Sequence, residues 1–154
     1  MEEKILGGIL GLCVADAVGV PFEFHSRKSL AHDPVTDMCG YGTYNQPAGT
    51  WSDDTSMTLC LLDSLSNGLD YTDIMQKFLS WLNEAKFTPH NEVFDVGRTS
   101  REAIIRFAQG VPPLCCGGAS EHDIQPCVRR GTSMPYLRIR YRTTEQELAS
   151  YLLR

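Results

Sequence analysis

Apolar side chains recur along this chain every three or four residues, the spacing of one helix face, and no strand-like alternation competes with these runs. Ile5, Ile9, Leu12 and Cys13 share one face of a first predicted helix, closed by Gly19 and Pro21, with Gly7, Gly8 and Gly11 admitting a close neighbour. The pattern predicts that this helix is buried. A second helix is predicted from Ser52 as N-cap through Met57, Leu61, Leu62 and Leu65, with Asn67 and Gly68 as its stop. A third starts near Thr72 and turns Ile74, Phe78, Leu79, Trp81 and Leu82 inward. A fourth opens on a capping box from Thr99 to Glu102, buries Ala103, Ile104, Phe107 and Ala108, and ends at Gly110 ahead of Pro112 and Pro113. A last helix starts at Thr143 or Thr144 and is still running at Leu152, Leu153 and Arg154. The expected fold class is all-α.

With 154 residues, 42% of them hydrophobic, the chain has the size of one domain or part of one. A net charge of −5, with no Lys/Arg run in the first hundred residues, argues against a nucleic-acid surface but leaves a phosphate-bearing small molecule open. The apolar N-terminus opens with Glu2 and Glu3, contains Asp16 and lacks a basic leader, so neither a signal peptide nor a membrane span is expected. Six scattered cysteines form no regular framework, which fits reduced thiols in a cytoplasmic protein. Cys13 and Cys60 lie in apolar surroundings and are expected to pack.

Between the first two helices, residues 22–50 show no sustained period and are rich in Gly, Pro, Asp and Asn. They read as an irregular loop long enough to line a site. Farther on, residues 124–142 form an atypical basic segment, with five of the ten arginines inside fourteen residues. A solvated loop and an edge strand through PYLRIRY are both open readings of it.

The stretch GTWSDDTSM places Ser52, Asp53 and Asp54 at the second helix start. Two explanations compete. Acids in a first turn are favoured by the free N–H groups and the positive dipole end, so the pair needs no ligand. Equally, a hydroxyl and two carboxylates on consecutive residues present the oxygen ligands that Mg²⁺ and Mn²⁺ take. Nearby in the order of the chain, ADAVGVPFEFHSR sets Asp16 and Glu23 around a Gly-Val-Pro corner, and FDVGRTSREAI sets Asp95 and Gly97 before a helix N-terminus that suits phosphate oxygens.

AGTWSDDTSM, preceded by GGILGLCVADAVGVPFEF and followed by FDVGRTSREAIIRFAQG, resembles the ADP-ribosylglycohydrolase family, in the same order over roughly residues 5–118. The resemblance implies an all-α orthogonal helix bundle, here its N-terminal half, with two Mg²⁺ or Mn²⁺ ions in a cleft. It implies hydrolysis at the anomeric carbon of ADP-ribose carried by a protein side chain or a small molecule. Ser52, Asp53 and Asp54 match the family's N-terminal metal ligands, with Asp53 or Asp54 holding metal and water. Glu23 matches an acid near the scissile bond and is the alternative acid/base, and Asp95 and Gly97 match a segment that contacts ADP-ribose.

The sequence departs from the family after about residue 123. The second acidic motif, Asp-x-Asp-Ser/Thr, is absent from the 154 residues, and a Gly-Asn-Gly loop is replaced by SEHDIQPCVRRGTSMPYLRIRYR before family-like sequence resumes at TTEQELASYLL. The expectation is a truncated domain whose residues 124–142 are translated out of frame. The alternative to an enzyme is an inactive remnant, or a crystallin-like or ADP-ribose-binding relative. Exposed apolar helix faces in a partial domain would favour self-association.

Overall fold

The computed structural model describes residues 2–118, which form helices and loops with no strand among the described residues. Five α-helices follow one another: α1 (Glu2–Gly19), α2 (Arg27–His32), α3 (Asp53–Leu65), α4 (Tyr71–Glu84) and α5 (Arg98–Ala108). Single 3₁₀ turns follow α1 at Val20–Phe22 and α5 at Pro113–Cys115. The basic segment 124–142 and the helix expected from Thr143 or Thr144 lie outside the described residues.

The core sits where α3, α4 and α5 meet. Cys60, Trp81 and Ile104 are its fully buried members, and Met57, Met75, Phe78, Leu79, Leu82, Phe87, Val93 and Val96 pack around them. A buried tryptophan with aliphatic neighbours dominates such a centre because of its apolar area. The predicted α4 face is the observed one, with Ile74 and Trp81 buried and the helix starting at Tyr71, one residue early, behind Asp70 as N-cap.

On α3 the fully buried positions are not the large apolar ones, although Met57 packs against the core. Its buried side chains are Thr55, Ser56, Cys60 and Ser64, whereas Leu61 is exposed. Short side chains let α4 come near: Ser64 Oγ donates to Asp73 and the Cys60 thiol to the Lys77 carbonyl at 3.7 Å.

α5 starts at Arg98 behind Gly97, so the predicted Thr99–Glu102 capping box is not its start, and Thr99 lies inside the first turn. Glu102 instead pairs with Arg106 one turn on, at 3.3 Å, the ordinary spacing for a helix-surface ion pair. Of the residues expected to be buried, Ile104 is, while Ala108 is exposed. Residues 22–50 are not wholly irregular: Ser26 accepts from the Ser29 N–H at 3.1 Å and starts α2, a helix of six residues, too short to show a period.

The expectation of a buried first helix is corrected. Only Ala17 of α1 is buried; Ile9, Leu12 and Cys13 are half-buried, and Ile5, Leu6, Leu10 and Val14 are more than half exposed. Apolar residues surround α1 on every side, and its last turn is tied to the start of α3 through Asp16. Glu2–Phe22 is, among those residues, the one helical stretch long and apolar enough to cross a membrane, with a mean hydropathy of 2.0.

Candidate functional site

Six hydrogen bonds gather the segments that the sequence separates. Asp16, in the last turn of α1, accepts the Ser52 hydroxyl on Oδ1 at 2.6 Å and the Ser52 and Thr55 N–H groups on Oδ2, each at 3.0 Å. The Asp53 carboxylate accepts the Gly97 N–H at 3.3 Å, which ties the start of α3 to the start of α5. Tyr44 donates its hydroxyl to the Asp95 carboxylate. Finally, the Thr43 hydroxyl donates to the Glu23 carbonyl at 2.7 Å, fixing the backbone that carries Glu23.

The loop around Tyr44 is held by its own close packing. The Tyr41 N–H donates to the Gln46 carbonyl at 2.7 Å and the Thr43 N–H to the Pro21 carbonyl at 3.0 Å. Gly42 sits so near that a Cβ there would lie 2.0 Å from the Pro21 oxygen, inside any allowed contact, so glycine is required. A second loop, residues 85–97, runs beside it. Gln46 donates to Glu92 at 2.9 Å, Thr50 pairs with His90 at 3.1 Å, and the Trp51 indole N–H donates to the Phe87 carbonyl at 3.3 Å. Bulky residues take positive φ here, Phe24 at 66°, Tyr41 at 60° and Phe87 at 61°. Such strain costs on the order of 1–3 kcal/mol per residue and collects where surrounding contacts over-determine the backbone. Phe24, Tyr44 and Phe94 follow one another ring to ring, with centroids 6.3 and 5.2 Å apart.

The charge at this place is one-sided. Burial pushes the Asp53 carboxyl up to about 7, and the negative charges of Asp54, Asp95 and Asp16 add to it against the lowering effect of the Gly97 N–H. Asp54 is raised to about 6 by burial and by the charges of Asp16, Asp95 and Glu23. Tyr44 is raised well above the usual phenol range, first by burial and then by its bond to Asp95 and the nearby acids. Carboxylates crowded this way favour protonation or a bound cation.

The Ser52 hydroxyl and the Asp53 and Asp54 carboxylates offer the hard oxygen donors of a Mg²⁺ or Mn²⁺ site. Among the described residues no group of three His, Cys, Asp or Glu side chains is placed to hold a metal ion, so the fit is to one side of a coordination shell. One further oxygen is unspent. The Thr55 hydroxyl is buried and has no hydrogen-bond partner among the described residues.

The structure thus brings Ser52, Asp53, Asp54, Asp95 and Gly97 together, and sets Glu23 near enough for its charge to act on Asp54 and Tyr44. Sequence reasoning noticed Asp16 without its task and missed Tyr44. An acid in the last turn of an apolar helix was the available signal for Asp16; nothing marked Tyr44 among its loop neighbours.

Known proteins share this arrangement of sequence. The chain is 37% identical over 107 residues to ADP-ribosylarginine hydrolase Tri1 of Serratia proteamaculans, covering 68% of this chain and 28% of that protein. It is 34% identical over 111 residues to ADP-ribosyl-[dinitrogen reductase] glycohydrolase of Rhodospirillum rubrum, covering 70% and 35%. A solved ADP-ribosylglycohydrolase-related protein complex superimposes with a TM-score of 0.60 at 35% identity, over 73% of this chain and 35% of the other. The chain therefore spans about a third of the length of the relatives it matches. The family model described as ADP-ribosylglycohydrolase matches residues 1–151, running through the basic segment as well. With a match over nearly every residue and the fold shared with that solved relative, the chain belongs to the ADP-ribosylglycohydrolase family.

Proposed function

We propose that this chain carries the N-terminal half-site of a divalent-metal-dependent ADP-ribosyl hydrolase. The observation that carries the reading is the meeting of three separate segments at the start of α3, with Asp53 bonded to Gly97 and Asp16 bonded to Ser52 and Thr55. Ser52, Asp53 and Asp54 would hold Mg²⁺ or Mn²⁺. Bound there, a cation supplies orientation of the ribose hydroxyls and polarisation of water.

The chain's own groups do the rest. Cleavage breaks the bond between C1″ and its leaving group, and water adds its oxygen to C1″ while one proton passes to the departing atom. Positive charge grows on the sugar as that bond stretches, and the carboxylates of Glu23 and Asp95 stabilise it electrostatically. Glu23 serves as the acid/base that takes the water proton or returns one. Tyr44 holds Asp95 in place, and N–H groups at the start of α5 suit the diphosphate. Relatives named for ADP-ribosylarginine and for ADP-ribosyl-dinitrogen reductase support an ADP-ribosylated protein, with an arginine linkage, as the substrate. Action in the cytoplasm is part of the same proposal.

Titration calorimetry with Mn²⁺ and ADP-ribose tests this. Binding of both by the native chain, and loss of Mn²⁺ binding in Asp53→Asn with Asp54→Asn, is the expected result. A silent native chain, or unchanged binding in the double variant, overturns it. A second reading, a non-catalytic ADP-ribose-binding member that self-associates, is favoured by the exposed Ile5, Leu6, Leu10 and Val14 of α1. That reading expects ADP-ribose binding with no turnover of ADP-ribosylated protein.

A further inference from the structure

An α-helix begins with free N–H groups, and the residue at its N-cap ordinarily meets one of them with its own side chain. Ser52 has the right chemistry for that task and does not perform it: the start of α3 carries no side-chain cap from Ser52. The hydroxyl proton of Ser52 goes to Asp16 at 2.6 Å, and the Thr55 N–H that a capping serine would take is met by the other Asp16 oxygen at 3.0 Å. That same oxygen also takes the Ser52 N–H at 3.0 Å. One carboxylate, 36 residues upstream of Ser52, therefore accepts three hydrogen bonds and supplies the cap from outside the helix.

Two consequences follow for the acidic helix start. The Ser52 oxygen, its proton given to a carboxylate, keeps its lone pairs for another partner, and Asp53 and Asp54 are spared capping duty. The backbone that carries all three is meanwhile fixed at both ends of the turn, at Ser52 N–H and at Thr55 N–H. Groups that orient a metal ligand through a hydrogen bond typically govern metal affinity about 10- to 100-fold without touching the ion.

We propose that Asp16 is the positioning residue of the Ser52–Asp54 half-site, aligning its hydroxyl and carboxylates for a divalent cation by capping α3 from α1. The inference rests on the cation reading given under Proposed function. A purely structural cap would lower stability and leave the affinity of the folded chain for metal unchanged, and this difference separates the two roles.

The test compares Asp16→Asn, Asp16→Glu and Asp70→Ala in the full chain. Asp16→Asn keeps the size and one acceptor; Asp16→Glu keeps the charge and moves the acceptor by one methylene. Asp70→Ala removes the cap of α4, away from the site, and serves as a control for lost stability alone. The expected result is faster amide hydrogen exchange at Ser52 and Thr55 in both Asp16 variants without metal. Mn²⁺ binding, followed by the electron paramagnetic resonance of the free ion, weakens by about 10-fold or more in both, and by less than about 2-fold in Asp70→Ala. Mn²⁺ binding within about 2-fold of native in either folded Asp16 variant overturns the proposal while leaving the cation reading intact. A native chain that takes up no Mn²⁺ overturns both. Should neither Asp16 variant fold, the native chain decides: Mn²⁺ must broaden the Ser52 and Thr55 amide resonances, and undisturbed amides refute the assignment.

Discussion

Two helices of this protein begin in opposite ways. At the start of α4, Asp70 caps its own helix, its carboxylate accepting the Thr72 N–H at 2.8 Å and the Asp73 N–H at 3.2 Å. At the start of α3, the cap comes from Asp16 on another helix, and the acids that follow Ser52 are left crowded with Asp95 and Glu23. A local cap uses its side chain to make the fold. A borrowed cap releases the local side chains for something else, at the expense of holding like charges together.

The largest effect that separates the two starts is on pH dependence without divalent ions. Asp53 and Asp54 are held up at about 7 and about 6, against an ordinary value of 3.8. Across that window the folded chain keeps protons that the unfolded chain has released, so stability falls as pH rises from about 4 to about 7 and is lowest above it. After solvent screening of these half-buried groups, a loss of about 2 kcal/mol is expected. Denaturant unfolding in a chelator at pH 5 and pH 8 measures it. Asp53→Asn with Asp54→Asn should flatten the difference, and parallel profiles for native and variant would show that the crowding is not there.

Next in size comes the local cap. Asp70→Ala should cost about 1 kcal/mol, the usual worth of an N-cap aspartate. The loss should be the same with and without Mn²⁺, since α4 begins away from the acids. A loss that changes with Mn²⁺ would mean that the two helix starts are coupled.

The same contrast explains what was legible in the sequence. Thr72 and the run from Ile74 to Leu82 speak through near neighbours, so the start and the apolar face of α4 were legible, the start within one residue. The metal-ligand candidates were legible because Ser52, Asp53 and Asp54 are adjacent, whereas the bond from Gly97 to Asp53 joins residues 44 apart and leaves no local pattern. Asp16 could not be assigned, because its three partners lie 36 to 39 residues away and no local pattern encodes them. The inward face of α3 was not legible for a related reason: Ser56, Cys60 and Ser64, satisfied by hydrogen bonds, pack inward and leave no apolar period. The exposure of α1 was hidden by the opposite excess, apolar residues on every side.

The smallest effect concerns the one oxygen at the α3 start that the borrowed cap leaves unmet. The Thr55 side chain is 1% exposed and its hydroxyl has no partner among the described residues, whereas α4 leaves no such group at its start. A buried hydroxyl without a bond costs free energy, and replacing it by a methyl group of the same shape removes that cost. Thr55→Val should therefore raise stability without divalent ions by up to about 1 kcal/mol, read as a higher denaturation midpoint at unchanged slope. Destabilisation by a similar amount would mean that the hydroxyl already has a partner. If the variant gains stability in chelator and yet loses part of the stabilisation conferred by Mn²⁺, the unmet oxygen belongs to the half-site. The start of α3 would then be a place where fold stability is given up for binding.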